Sequence, residues 1–135
     1  MIVSKQTNID AQKRFGEAVQ NGRFEQFSNL VSESVVDHDP APGQEAGPRG
    51  YAEFFRTLRI AFPDMHIAIE HLVADDENVA FAYTLTGTHQ GMFMGVAPTG
   101  NRIKARGMQI SRFENGKMVE RWGSSDELGI LKQIS

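Results

Sequence analysis

Asp126 is the carboxylate whose place in the chain most invites chemistry. It closes the run Trp122-Gly123-Ser124-Ser125-Asp126. If 118–126 is a strand, alternation puts Met118, Glu120, Trp122, Ser124 and Asp126 on one face, and Val119, Arg121, Gly123 and Ser125 on the other. The single tryptophan and a carboxylate then point the same way, about 13 Å apart at roughly 3.3 Å per residue. A carboxylate beside a large aromatic in an apolar pocket has its charged form disfavoured, which raises its pKa and suits acid–base work. The competing reading is that Asp126 caps a short helix over 127–134, since aspartate is a favoured N-cap. The two roles are compatible.

Two histidines and an arginine complete the candidates. His38 sits between Asp37 and Asp39 at the end of a short strand. It can hydrogen-bond a substrate oxygen or be a loop histidine held by its neighbours. A metal at Asp37-His38-Asp39 is disfavoured, because adjacent strand residues cannot easily face one ion. His89 ends a strand on the face of Phe81 and Tyr83, either in a pocket wall or at a solvated strand end. Arg106 shares a face with Lys104, Met108 and Ile110. It can orient a ligand oxygen, or it is an exposed sheet charge. His66 and His71 are five apart, so strict alternation places them on opposite faces, where they cannot act together.

The elements that position these residues follow from punctuation and period. The N-terminal MIVSKQTNID lacks the apolar core of a signal peptide, which makes a cytoplasmic location the expectation. Residues 1–7 read as loosely ordered, and Asn8 as the cap of a helix to about residue 20. Ala11, Phe15, Ala18 and Val19 form its buried stripe. Asn21-Gly22 stops it. A second short helix turns Phe24, Phe27, Leu30 and Val31 inward, and 34–38 is a brief strand. Residues 40–50 hold three prolines and three glycines, so they form a loop. Tyr51, Phe54, Phe55, Leu58 and Phe62 then mark an amphipathic third helix that Pro63 ends. Strands follow at 65–74, 79–89, 103–113 and 118–126. Residues 90–101 make a glycine-rich excursion, read as a flap over a pocket mouth or a contact for a second subunit. Asn115-Gly116 gives a tight hairpin. Three helices followed by a meander of long strands argue α+β, with the helices laid on one face of a curved sheet.

Composition excludes several classes. The 135 residues suit one domain, 1–135, with 40% hydrophobic and 23% charged residues. A net charge of −3 provides no basic footprint for nucleic acid. There is no cysteine, so disulfides, thiolate metal sites and a cysteine nucleophile are out. No apolar run approaches the roughly 20 residues a membrane span requires.

An ordered set of motifs carries a family resemblance. It comprises Val36-Asp37-His38-Asp39-Pro40, Gly47 through Gly50, Phe62-Pro63-Asp64, Gly87-Thr88-His89-Gln90-Gly91 and Ala97-Pro98-Thr99-Gly100. It continues in Arg112-Phe113-Glu114-Asn115-Gly116-Lys117 and Trp122-Gly123-Ser124-Ser125-Asp126-Glu127-Leu128-Gly129. The chain resembles the SnoaL-like polyketide cyclases (ester cyclases) of the superfamily sharing the nuclear transport factor two fold. The resemblance implies a cone-shaped α+β barrel, a strongly curved antiparallel sheet wrapped round three N-terminal helices, with a pocket in its open end. It implies an intramolecular aldol closure by an acid–base aspartate, mapped onto Asp126, with His38 and His89 beside it and neither metal nor organic cofactor. Trp122, Phe15, Tyr51, Phe54, Arg106, Met108 and Phe93 are the expected substrate contacts. It also implies a small apolar molecule as partner and a homodimer or larger assembly through the outer sheet surface. A non-catalytic binder on the same fold is the alternative. An isomerase site with tyrosine and protonated aspartate as oxyanion donors is disfavoured, since Tyr51 and Tyr83 are the only tyrosines.

Overall fold

The computed structural model describes residues 4–135. Helix α1 (Lys5–Asn21) is capped by Ser4, whose Oγ accepts the Thr7 N–H, and ends on Gly22 at φ 69°. The order expected for residues 4–7 is therefore corrected, because Ser4 supplies the cap; residues 1–3 lie outside the described residues. Asn8 is buried inside α1, where its Nδ2 donates to the Asp75 carbonyl. The expected stripe Ala11, Phe15, Ala18 and Val19 is buried. A 3₁₀ turn (Phe24–Gln26) leads into α2 (Phe27–Leu30). Val31 does not continue that helix; it starts β1 (Val31–Asp37).

Helix α3 (Pro48–Ala61) starts three residues before the expected Tyr51, because Pro48 at its first turn needs no N–H acceptor. Its face meets α1 and α2 through rings: Phe15 stacks on Phe27 at 4.9 Å, and Phe55 and Tyr51 meet Phe15 edge-on. Phe27 is 0% exposed at the centre of this cluster.

The remaining strands are β2 (His66–Ala74), β3 (Asn78–Thr88), β4 (Arg102–Glu114) and β5 (Lys117–Ser125). They form one sheet in the order β1-β5-β4-β3-β2. The last four make the expected antiparallel meander, while β1 pairs with β5 in parallel. The β4–β5 hairpin turns on Asn115 (φ 52°) and Gly116 (φ 78°), the pair of left-handed residues a two-residue loop demands.

The sheet has three register shifts, one of them in β1 between Val31 and Val36, and the other two decide which side chains of the long strands face inward. Between β4 and β5, Arg112 pairs with Glu120 but Phe113 pairs with Met118, so Val119 is an extra residue. A bulge of this kind reverses alternation. Met118 therefore packs inward, whereas Glu120, Trp122 and Ser124 face outward. Between β2 and β3, Ile69 pairs with Tyr83 and His71 with Ala82, leaving Glu70 extra. His66 and His71 thus share the outer face, which corrects the expectation from strict alternation.

Strand β5 accompanies only part of β4, with Ser125 opposite Gly107. Beyond that point α4 (Glu127–Gln133) takes the place alongside β4. The Gln133 side chain accepts from the Lys104 N–H at 2.7 Å and donates to the Lys104 carbonyl at 3.0 Å.

Candidate functional site

The inner face of the sheet is closed at both ends and open in its middle. Val79, Ser111, Phe113 and Met118 are buried at one end; Leu85, Ile103 and Ala105 are buried at the other. Between them Phe81, Tyr83, Gln109, Arg121 and Gly123 are only half-buried although they face inward. That pattern marks an open concavity floored by β3, β4 and β5.

Two glycines shape its floor. A Cβ on Gly107 would collide with the Tyr83 ring, and a Cβ on Gly123 would collide with the Arg121 guanidinium. Both side chains therefore lie flat across backbone that carries no side chain of its own. Arg121 is held at several points. Its Nε donates to Gln109 Oε1 at 3.0 Å, and its Nη1 donates to both Asp37 oxygens, at 3.0 and 3.3 Å, and to the Asp39 carbonyl. Gln109 in turn donates to Ser111.

Asp37 anchors this network. Its Oδ2 accepts the Tyr51 hydroxyl at 2.6 Å, and its Oδ1 accepts the Asp39 N–H at 2.9 Å. Burial alone would raise its pKa, but these hydrogen bonds and the Arg121 charge together hold it below the ordinary carboxylate value. Burial, then the bond to Asp37, pushes the Tyr51 hydroxyl well above its usual pKa. Burial likewise raises Tyr83, with the Arg121 charge and Ser125 pulling the other way in part. Asp37 is thus an ionised carboxylate whose oxygens are spoken for, and it positions Arg121. An open cavity of about 240 Å³ is lined by Asp37, Tyr51, Val35 and the loop carrying Gln44, Glu45 and Gly47. It lies under the roughly 300–1,000 Å³ of sites for drug-sized ligands.

The three expected catalytic residues are not brought together. Asp126 is exposed, and its side chain caps α4 by accepting the Gly129 N–H at 2.9 Å. A Cβ on Gly129 would collide with that carboxylate. The expected burial of Asp126 in an apolar pocket beside Trp122 is corrected: the strand ends at Ser125, and the cap holds the carboxylate against the first turn of α4, exposed. His38 is on the outer face, stacked on Trp122 at 4.6 Å, with its Nε2 at 2.7 Å from Glu120. Both partners face outward because the Val119 bulge carries Glu120 and Trp122 to that side. His89 is 0% exposed. The Thr99 N–H donates to its Nδ1, tying down the 90–101 excursion, and its Nε2 is buried without a partner. Its ring packs against Phe62, with centroids 5.8 Å apart.

Of the expected substrate contacts, Tyr51 reaches the site through Asp37. Phe54 is partly exposed and meets Phe55 edge-on. Phe15 is buried in the helical core instead of lining the hollow. Trp122, Arg106 and Met108 stand on the outer face, Met108 being 66% exposed, because in β4 the inward parity belongs to Gly107, Gln109 and Ser111. Phe93 packs edge-on against Phe62 at the end of α3, and Met92 and Met94 beside it are exposed. Sequence reasoning missed Asp37 and Arg121 as a pair. The available signal was the glycines at 107 and 123, which mark inner-face positions where a large neighbour must lie flat.

A curled five-stranded sheet packed with four helices defines an α+β fold of the cone-shaped class, with an ionised network on the concave face. The sequence profile of the SnoaL-like polyketide cyclase family matches residues 9–134, and the chain belongs to that family. It is similar to aklanonic acid methyl ester cyclase DnrD of Streptomyces peucetius, at 24% identity over 95% of this chain and 90% of that protein. Among solved structures it resembles IdmH of Streptomyces antibioticus, with 28% identity, a TM-score of 0.81, and 93% of this chain and 96% of that one covered. TsrD of Streptomyces laurentii shares the fold at 20% identity, with a TM-score of 0.87 over 97% and 96% of the two chains. The family and its cyclase relatives support a cyclase-type role.

Proposed function

We propose that this protein is a cofactor-independent enzyme that closes a ring in a polyketide-like or other small apolar carbonyl substrate by intramolecular aldol chemistry. The observation that carries this reading is the concave face: aromatic walls from Phe81 and Tyr83 beside one preorganised cation, Arg121. Asp126 is the acid–base group. It follows Ser125, which neighbours Tyr83, and it has an oxygen to spare beyond its cap. A substrate seated in the hollow would present its acidic carbon to that oxygen for proton transfer. The carboxylate takes the acidic carbon-bound proton; the enolate carbon attacks a carbonyl; the resulting alkoxide takes the proton back. The test is turnover of a panel of aromatic β-keto esters by the protein and by Asp126→Asn. Loss of at least about a hundredfold is expected for removal of an acid–base group. Unchanged turnover removes Asp126 from the mechanism.

One observation favours a second reading, a binder without catalysis: Asp126 is exposed and engaged as a cap. That reading predicts ligand-induced stabilisation, identical in Asp126→Asn, with no product formed.

Self-association through the outer sheet surface also fits. Trp122, Ile110, Ala80 and Val73 form one cross-strand row there, flanked by Met108 and Ala82. Ile110, Val73 and Met108 are exposed. A second copy of the chain would cover the row. Sedimentation is expected to give at least twice the 15.0 kDa chain mass, and a monomer would refute it.

A further inference from the structure

Arg121 has three nitrogens and uses two of them on protein. Nε goes to Gln109, and Nη1 to Asp37 and the Asp39 carbonyl. Nη2 has no acceptor among the described residues. It is not sealed either, since the buried side-chain polar atoms without partners there are Gln12 Oε1 and His89 Nε2. Nη2 lies over Gly123, on the side where a Cβ would point into the hollow. The Tyr83 ring and hydroxyl lie over Gly107, one diagonal step away on the neighbouring strand, about 7 Å for such a pair. Arg121 is close enough to Tyr83 for its charge to act on the phenol.

A guanidinium fixed on two edges keeps its third edge aimed without further loss of rotamer freedom. In a half-buried hollow a charge-assisted hydrogen bond from it is stronger than a neutral one. We propose that Arg121 Nη2 and the Tyr83 hydroxyl, above the Gly107 and Gly123 floor, form a subsite for a delocalised oxyanion of the ligand, a carboxylate or the enolate of a 1,3-dicarbonyl. Asp37 and Gln109 are positioning residues for it. The proposal rests on the reading that the concavity holds the ligand. It narrows the ligand to one that carries negative charge on a planar oxygen pair or an enolate oxygen.

The test is binding, read by calorimetry on the intact protein with matched charged and neutral probes. The pairs are 2-naphthoate against 2-naphthamide, and dimedone as its enolate against 3,3-dimethylcyclohexanone. At least one charged probe is expected to bind about tenfold or more tighter than its neutral partner. A preference in the first pair alone identifies a carboxylate; a preference in the second alone identifies an enolate. Arg121→Lys keeps a cation beside Asp37 but has no second planar donor, and Gly123→Ala keeps both charges but places a methyl group where Nη2 lies. Both are expected to reduce the preference below about threefold. Equal binding within both pairs, or a preference that survives either substitution, overturns the proposal. Because no turnover is read, loss of the subsite and loss of the cyclase reading show up in separate experiments.

Discussion

Replacing Asp37 with asparagine keeps the volume of the side chain and removes its charge. In the folded protein Asp37 accepts from Tyr51, from the Asp39 N–H and twice from Arg121, with 9% of its side chain exposed against 20% for Arg121. Asparagine can still accept from Tyr51 or from Arg121, but its NH₂ then faces the other donor. The bonds to one oxygen are lost, and a half-buried guanidinium loses its counter-charge, a cost of about 3 kcal/mol. For a chain of this size that is about 10 °C in melting temperature at pH 7. The pH dependence provides the sharper check. Asp37 has a folded-state pKa below its unfolded value, so its contribution is fully present above pH about 4 and fades as pH falls through the folded value. The gap between the two proteins in urea titrations should therefore be full at pH 7 and close below about pH 4. A gap under about 1 kcal/mol, or one independent of pH, would refute the reasoning, because either result means the carboxylate's charge is not what Arg121 and Tyr51 hold.

Two further outcomes are expected. Gly129→Ala drives a methyl group into the Asp126 carboxylate and should cost about 1 kcal/mol through the lost cap, measured by thermal melting; an unchanged melting point would mean that the cap contributes nothing. Tyr51 has a folded pKa above its unfolded value, so its contribution is present below about pH 10 and lost as pH climbs further, because only the unfolded chain releases the proton. Tyr51→Phe should thus flatten the alkaline arm of the stability profile, and an arm of the same slope would assign that loss to other groups.

Much of the scaffold was legible from period and punctuation. The stripe of α1, the amphipathic α3 and the Asn115-Gly116 hairpin are each dictated within a few residues. The faces of the sheet were harder, and for one reason. Alternation is a parity rule, and a single extra residue reverses it. Val119 does this in β5 and Glu70 in β2. Trp122 thereby moved from the expected pocket wall to the outer surface, where His38 stacks on it, and Arg121, assigned to the opposite face, became the centre of the hollow. The partnership of Asp37 with Arg121 could not be read from spacing either. It spans 84 residues and depends on β1 joining β5 in parallel. His89 illustrates a different limit: a residue type suited to proton transfer serves here to hold a loop, because its ring is walled off.

The side-chain amide of Gln133 presents one acceptor and one donor to a single residue, Lys104, as a neighbouring peptide group would. For that stretch of β4 the last helix acts as a counterfeit strand, and the stretch does not offer a bare ladder to another chain. A chain cut after residue 126 would keep the whole sheet yet leave that ladder unpaired, so clumping of such a fragment at concentrations the full chain tolerates is the expected cost of losing seven helical residues.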